Sequence, residues 1–142
     1  MKRILGIDPG SRFTGYGIID VEGDRAVPAR FGVIKTGNGD FPQRLGVIFS
    51  ELCELLDEFK PDEFAIEDVF VSKNASSALK LGQARGAAIC AAISRQLPVA
   101  EYSPRSVKQA IVGRGGAEKV QVQHMVCVLL KLKESPAEDA AD

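Results

Sequence analysis

Two carboxylates in this chain stand where apolar runs stop. Asp8 ends "RILGID" just before Pro9-Gly10, and Glu67 nearly ends "EFAIEDV". Carboxylates held close together repel one another unless a proton or a cation intervenes, and hard divalent ions such as Mg²⁺ or Mn²⁺ are the usual companions of oxygen-only ligands. The tail supplies two more. "SPAEDAAD" opens with a capping box, Ser135 to Glu138 with Pro136 at the first helical position, and sets Asp139 and Asp142 three apart on one helix face. Four carboxylates with no histidine or cysteine beside them fit a two-metal phosphodiester site. There, ions roughly 3.5–4 Å apart activate water and stabilise the leaving oxygen, and Asp8 would bridge them. Each acid taken singly has a plainer reading: an Asp before Pro-Gly is a common turn residue, and acids in a first helical turn complement its dipole.

The elements that must position these groups follow from periodicity. Residues 3–8, 14–20 and about 29–36 are rich in Ile, Val, Phe and Thr, and turn residues at Pro9-Gly10 and Gly23-Asp24 separate them, which predicts a three-stranded antiparallel meander. From Pro42 the period changes, and Leu45, Ile48, Phe49, Leu52, Leu55, Leu56 and Phe59 form one helical stripe that Pro61 stops. "EFAIEDV" is a short buried strand. Asn74 then caps a long helix whose interior, "ALKLGQARGAAICAAI", is mostly Ala and Gly. Small side chains allow a close backbone approach, first by the core beneath and then by a second copy of the helix. A strand at about 98–102 leads into Ser103-Pro104, which starts a helix ending at Gly113. Gly113-Arg114-Gly115-Gly116 links it to a last amphipathic helix. Strands first, then alternating helix and strand, predict an α/β domain over 1–142: a mixed five-stranded sheet with helices on both faces. Ligands gather at the carboxyl ends of the parallel strands of such sheets. Neighbouring first and fourth strands would therefore bring Asp8 and Glu67 together.

Bulk properties narrow the classes. A chain of 142 residues, 45% hydrophobic, is long enough for one domain with a real core and too short for two ordinary ones. Met1-Lys2-Arg3 imitates the start of a signal peptide, but the apolar stretch ends at Asp8, short of a signal core or a membrane span. Cys53, Cys90 and Cys127 each fall in an apolar helical pattern and read as buried thiols of a reducing compartment, which predicts a cytoplasmic location. Zinc-ligand spacing is absent, and His124 is the only histidine. The net charge of −1 hides an uneven distribution: residues 70–133 hold ten Lys and Arg against two acids, while 1–69 hold eight against thirteen and 134–142 none against four. A basic middle segment of that kind presents either a face to a polyanion or a set of solvated helix surfaces. "GSRFTG" lacks the Gly-Lys-Ser/Thr of a Walker loop. The Asp-x-Gly-Ser/Thr turn also occurs in sugar kinases and actin-like ATPases, which need two lobes where this chain has room for one.

Four stretches together carry a family resemblance. "ILGIDPGSRFTGYGII", "FAIEDVFVSKNASSALKLGQARGAA", "VKQAIVGRGGAEKVQVQHMV" and "EDAAD" resemble the RuvC crossover-junction endodeoxyribonucleases, bacterial resolvases that nick four-way DNA junctions. The resemblance runs from about residue 2 to the last residue. It implies an RNase H-like fold and a homodimer in which each subunit cuts one of two opposed strands with Mg²⁺, two ions per site. It matches Asp8, Glu67, Asp139 and Asp142 to the family's acidic quartet, and Lys108 and Lys119 to basic residues near the cleaved phosphate, Lys119 as a charge neutraliser in the transition state. Phe70 matches an aromatic that engages bases at the junction centre, beside Lys73 and Asn74, and Arg114 sits in a hairpin of the kind that reaches DNA phosphates. The family further implies proteins that move or load junctions as partners, and no membrane. His124 is expected to have no catalytic role. A branched-DNA-binding module without cleavage and a related RNase H-like RNA-processing nuclease are the alternatives.

One departure is expected to matter. In the family the paired aspartates sit early in a helix that continues past them, whereas Asp142 is the last residue here. A capping box with no turns left predicts a C-terminal helix cut short, a stub that only neighbouring structure can hold, and a second metal held poorly.

Overall fold

Ile4, Leu5, Gly6 and Ile7 form an apolar run without a break, which is what a strand buried on both faces requires. The computed structural model describes residues 1–22, 25–68 and 74–102, apart from the side chains of Arg25, Ala26 and Tyr102. Its elements are β1 (Lys2–Asp8), β2 (Phe13–Glu22), β3 (Arg25–Lys35), α1 (Phe41–Phe59), β4 (Glu63–Glu67), α2 (Ala75–Ser94) and β5 (Val99–Tyr102). The sheet order is β3-β2-β1-β4-β5. β1, β2 and β3 pair antiparallel, as the meander predicts, while β4 pairs parallel to β1 and β5 parallel to β4. The sheet is mixed and five-stranded. The helices expected beyond Ser103 lie outside the described residues.

β3 begins earlier than periodicity indicates. Pro28 would break a central strand, since it has no N–H for the ladder. Here it lies on the edge strand, where pairing jumps from Ile18 opposite Arg30 to Ile19 opposite Pro28 and leaves Ala29 as an extra residue. This bulge absorbs the proline.

Both described helices cover one face of the sheet. Leu5 and Ile7 of β1 lie opposite Ile18 and Tyr16 of β2 and beside Phe64 and Ile66 of β4. These side chains form one buried cluster with Ile48, Leu52, Leu55 and Leu56 of α1 and Ala84, Ala88, Ala91 and Ala92 of α2. The alanines are at most 1% exposed, so α2 packs by backbone proximity, the nearer of the two roles its small residues predict. Gly82 and Gly86 do not share in this contact, since a Cβ on either would meet nothing within 4 Å. Two expectations are corrected. Phe49 is 37% exposed, beside rather than within the buried stripe of α1. Cys53 is buried but Cys90 is exposed, because it lies on the side of α2 away from the buried alanines. On the other sheet face Ile4, Ile19 and Ala65 are also buried.

The ends of both helices follow from local chemistry. Asp40 caps α1 by accepting from the Gln43 amide at 3.1 Å, with Pro42 in the first turn, and Lys60 closes it in the left-handed conformation at φ 48°. Asn74 caps α2, its side-chain oxygen accepting from the amides of Ser76 and Ser77 at 2.9 and 3.2 Å.

The turn that follows Asp8 is held from within. Thr14 is fully buried, and its hydroxyl donates to the Gly10 carbonyl at 2.8 Å and accepts from the Gly10 amide at 3.3 Å. A Cβ on Gly10 would collide with the Phe13 carbonyl, so the turn requires glycine. Thr36, 3% exposed, donates to the carbonyls of Ser11 and Arg12, and Arg44 of α1 donates to the Ser11 carbonyl at 2.9 Å. The start of β1 is braced separately. Arg3 grips Asp20 through two hydrogen bonds of 2.7 and 3.0 Å, donates to the Phe59 carbonyl at 3.0 Å, and lies over the Phe59 ring.

Thr14→Val keeps the shape but strands a buried amide and carbonyl, so urea unfolding is expected to show a loss of about 1–3 kcal/mol. The hydrogen bonds from Arg3 hold the Asp20 carboxyl below its ordinary value of 3.8. A depressed carboxylate pKa stabilises the fold above the unfolded-state value and ceases to do so as pH falls through the folded-state one. Arg3→Met is therefore expected to cost about 1 kcal/mol at pH 7, reduced by the solvent that reaches the pair. The gap from the parent narrows below pH 3.8, as read by thermal unfolding across pH.

Candidate active site

β1 and β4 run parallel in a register that pairs Ile4 with Glu63, Leu5 with Phe64, Gly6 with Ala65 and Ile7 with Ile66. Each strand ends one residue later, at Asp8 and at Glu67. The two carboxylates thus stand at level, adjacent strand ends. Because Ile7 and Ile66 point into the helix-covered core, the alternation of a strand sends Asp8 and Glu67 to the opposite face. Both are partly exposed. Gly15 lies opposite Asp8 across the antiparallel pair, so no side chain from β2 crowds it there.

This edge of the sheet also receives the start of both helices. α1 begins shortly after β3 ends, α2 shortly after β4 ends, and neither carries an acidic residue in its first turn. Helix N-termini carry partial positive charge and orient amides toward anions.

The structure brings two of the four expected carboxylates, Asp8 and Glu67, to one place. Asp139 and Asp142 lie outside the described residues, as do Phe70, Lys73, Lys108, Arg114 and Lys119. Among the described residues no three His, Cys, Asp or Glu side chains are grouped as a metal site. Two adjacent hard oxygen donors nevertheless suit a divalent cation completed from elsewhere. Asn74 stands at the same edge, its side-chain oxygen engaged in capping α2.

The basic middle segment is less uniform than its charge count indicates. Arg85 is 15% exposed at the side chain and bound to Glu101 and Asp68, and Arg95 grips Asp57 at 2.7 and 3.0 Å at the far end of α2. Lys80 lies over the Phe41 ring at 5.9 Å, and Arg44 over the same ring at 5.2 Å. Arg12 and Lys35 are exposed where the β1–β2 turn meets the end of β3. Arg12, Lys35 and Arg44 come from the net-acidic first half and reach this edge only through the fold, so segmental charge conceals them. Arg85 had no local signal, because the acids it binds lie on other elements of the chain.

The family model for crossover junction endodeoxyribonuclease RuvC matches residues 4–142. The RuvC of Shewanella frigidimarina is 59% identical over 142 residues, covering all of this chain and 82% of that protein. Thermus thermophilus RuvC in complex with a Holliday junction substrate superposes with a TM-score of 0.76 at 29% identity, covering 91% of this chain and 89% of that one. A second structure of Thermus thermophilus RuvC gives 0.72 at 36% identity, covering 94% and 83%. The sheet has the RNase H-like form of those structures, and the chain belongs to the RuvC family of crossover junction endodeoxyribonucleases.

Proposed function

We propose that this chain nicks four-way DNA junctions at symmetric positions, as a homodimer, by metal-dependent phosphodiester hydrolysis. The observation that carries the proposal is the level ending of β1 and β4, which sets Asp8 beside Glu67 on one face in a chain of this family. A relative of the same fold is seen with a Holliday junction substrate.

Asp8, Glu67, Asp139 and Asp142 would hold two Mg²⁺ ions, with Mn²⁺ acceptable to the same oxygen donors. When bound, the ions supply Lewis-acid activation of water and stabilisation of the leaving oxygen. The protein's own residues orient the DNA. Lys119 offsets charge developing on the phosphate, and Lys108, Lys73 and Arg114 bind neighbouring phosphates. Phe70 stacks on a base opened at the junction centre, a contact worth about 1–3 kcal/mol. Asn74 caps the start of α2. Proteins that move junctions are the partners this activity requires, and a cytoplasmic site of action suits it. No helix among the described residues is long and apolar enough to cross a membrane.

Two copies suit two opposed cuts. Leu79, Gly82, Gly86, Cys90 and Ile93 recur at helical spacing on the side of α2 away from the buried alanines. Leu79 and Ile93 are 64% and 58% exposed, and the glycines face open space. Such a stripe supports a helix-to-helix seam between copies.

Asp8→Asn is expected to abolish nicking of a synthetic four-way junction in Mg²⁺ while leaving junction binding in chelator equal or tighter. Equal cutting of a linear duplex of the same length would instead remove the junction-selective reading. Leu79→Asp with Ile93→Asp is expected to yield monomers by light scattering and single, uncoordinated nicks; an unchanged dimer would place the seam elsewhere.

A further inference from the structure

Four carboxylates, not two, crowd the ends of β4 and its neighbours. Asp68 follows Glu67 directly, and Glu101 of β5 pairs in register with Ile66. That pairing puts Glu101 on the helix-covered face with Ile66, so strand alternation separates it from Glu67. One side chain collects the acids of that face. Arg85 of α2 hydrogen-bonds Glu101 through Nη2, and the same nitrogen lies 3.6 Å from Asp68 Oδ1. Its Nε donates to the main-chain carbonyl of Glu67 at 3.4 Å. Arg85 is 15% exposed, whereas the acids it binds are each 54% exposed. The cation is thus fixed by packing and the acids are drawn to it.

We propose that Arg85 is a positioning residue for the metal site, a role that rests on the proposed function above. It fixes the end of β4 through the Glu67 carbonyl, so that the Glu67 side chain leaves the sheet beside Asp8. It also retains Asp68 and Glu101 on the opposite face. Without it, Glu101, solvent-accessible and one strand from Glu67, loses its guanidinium partner and can draw a divalent cation away from the Asp8 side. The planar guanidinium suits the task, because its fork reaches a carbonyl and two carboxylates at once; a lysine ammonium lacks that reach and geometry.

The test uses the whole chain as Arg85→Gln, Arg85→Lys, Glu101→Gln and the Arg85→Gln/Glu101→Gln double variant, with Asp8→Asn as control. Mn²⁺ binding without DNA is read by the paramagnetic resonance of the free ion, the Mg²⁺ midpoint of single-turnover junction nicking is measured, and junction affinity is taken in chelator. Arg85→Gln is expected to weaken Mn²⁺ binding and raise the Mg²⁺ midpoint by about 10-fold or more, as loss of a group supporting metal ligands commonly does. Junction affinity in chelator stays unchanged. Arg85→Lys falls between, Glu101→Gln stays near the parent, and the double variant recovers part of the Mn²⁺ affinity. If Arg85→Gln lowers only the melting temperature and leaves both metal readouts in place, Arg85 is a structural brace and the proposal fails. Should Arg85→Gln not fold, Arg85→Lys decides: parental metal readouts in that variant overturn the role of the fork. Asp8→Asn binding Mn²⁺ as well as the parent would defeat the metal reading itself, a failure visible without touching Arg85.

Discussion

The parallel pairing of β1 with β4 is the constraint on which the remainder depends. It joins residues about 60 apart in the chain, and its register makes both strands stop level. A slip of one residue would turn one of the two terminal carboxylates to the other face, because strand side chains alternate. The register is held by burial, since Leu5, Ile7, Phe64 and Ile66 are all 0% exposed and have no other place to go. A second set of contacts locks the far end of the same pair: Lys2 meets Glu63 at 2.9 Å, and the Asp62 side chain and amide bond the backbone of Arg3. The apolar core therefore decides where the charged groups stand.

A cluster of negative charge at a sheet edge is costly, and the fold surrounds it with compensating features. Two helices start there, contributing the positive ends of their dipoles. Arg12, Lys35, Arg44 and Lys80 lie around the adjoining turn and the start of α1. The turn itself is rigid through Thr14, Thr36 and Gly10, so Asp8 is held by backbone geometry rather than by a flexible loop. Such fixed placement suits the proposed chemistry, in which small misplacements of reacting groups cost rate steeply.

Much of this was legible in the sequence, for a physical reason: strands and amphipathic helices are set by patterns a few residues long. "RILGID", the stripe from Leu45 to Phe59 and the Asn74 cap are local signals, and the structure reproduces them. The neighbouring strand ends were legible only through a general rule about ligand sites in mixed sheets. What was not legible depends on distant partners. Pro28 belongs to a strand because β3 lies at an edge, Phe49 and Cys90 are exposed because the helices turn other residues inward, and Arg85 and Arg95 are tied to acids that no spacing rule connects to them. Segment charge likewise gave no hint of Arg12, Lys35 and Arg44 at this end of the sheet, since it counts residues and not positions.

The irregularity at Ala29 reaches beyond the sheet it closes. An outermost strand offers bare amides and carbonyls to any other extended chain, and a proline beside a kink removes a donor and bends the ladder away from straight. The β3 margin is thereby a poor template for accretion of further strands. Open-ended stacking of copies at that margin is disfavoured by the same kink.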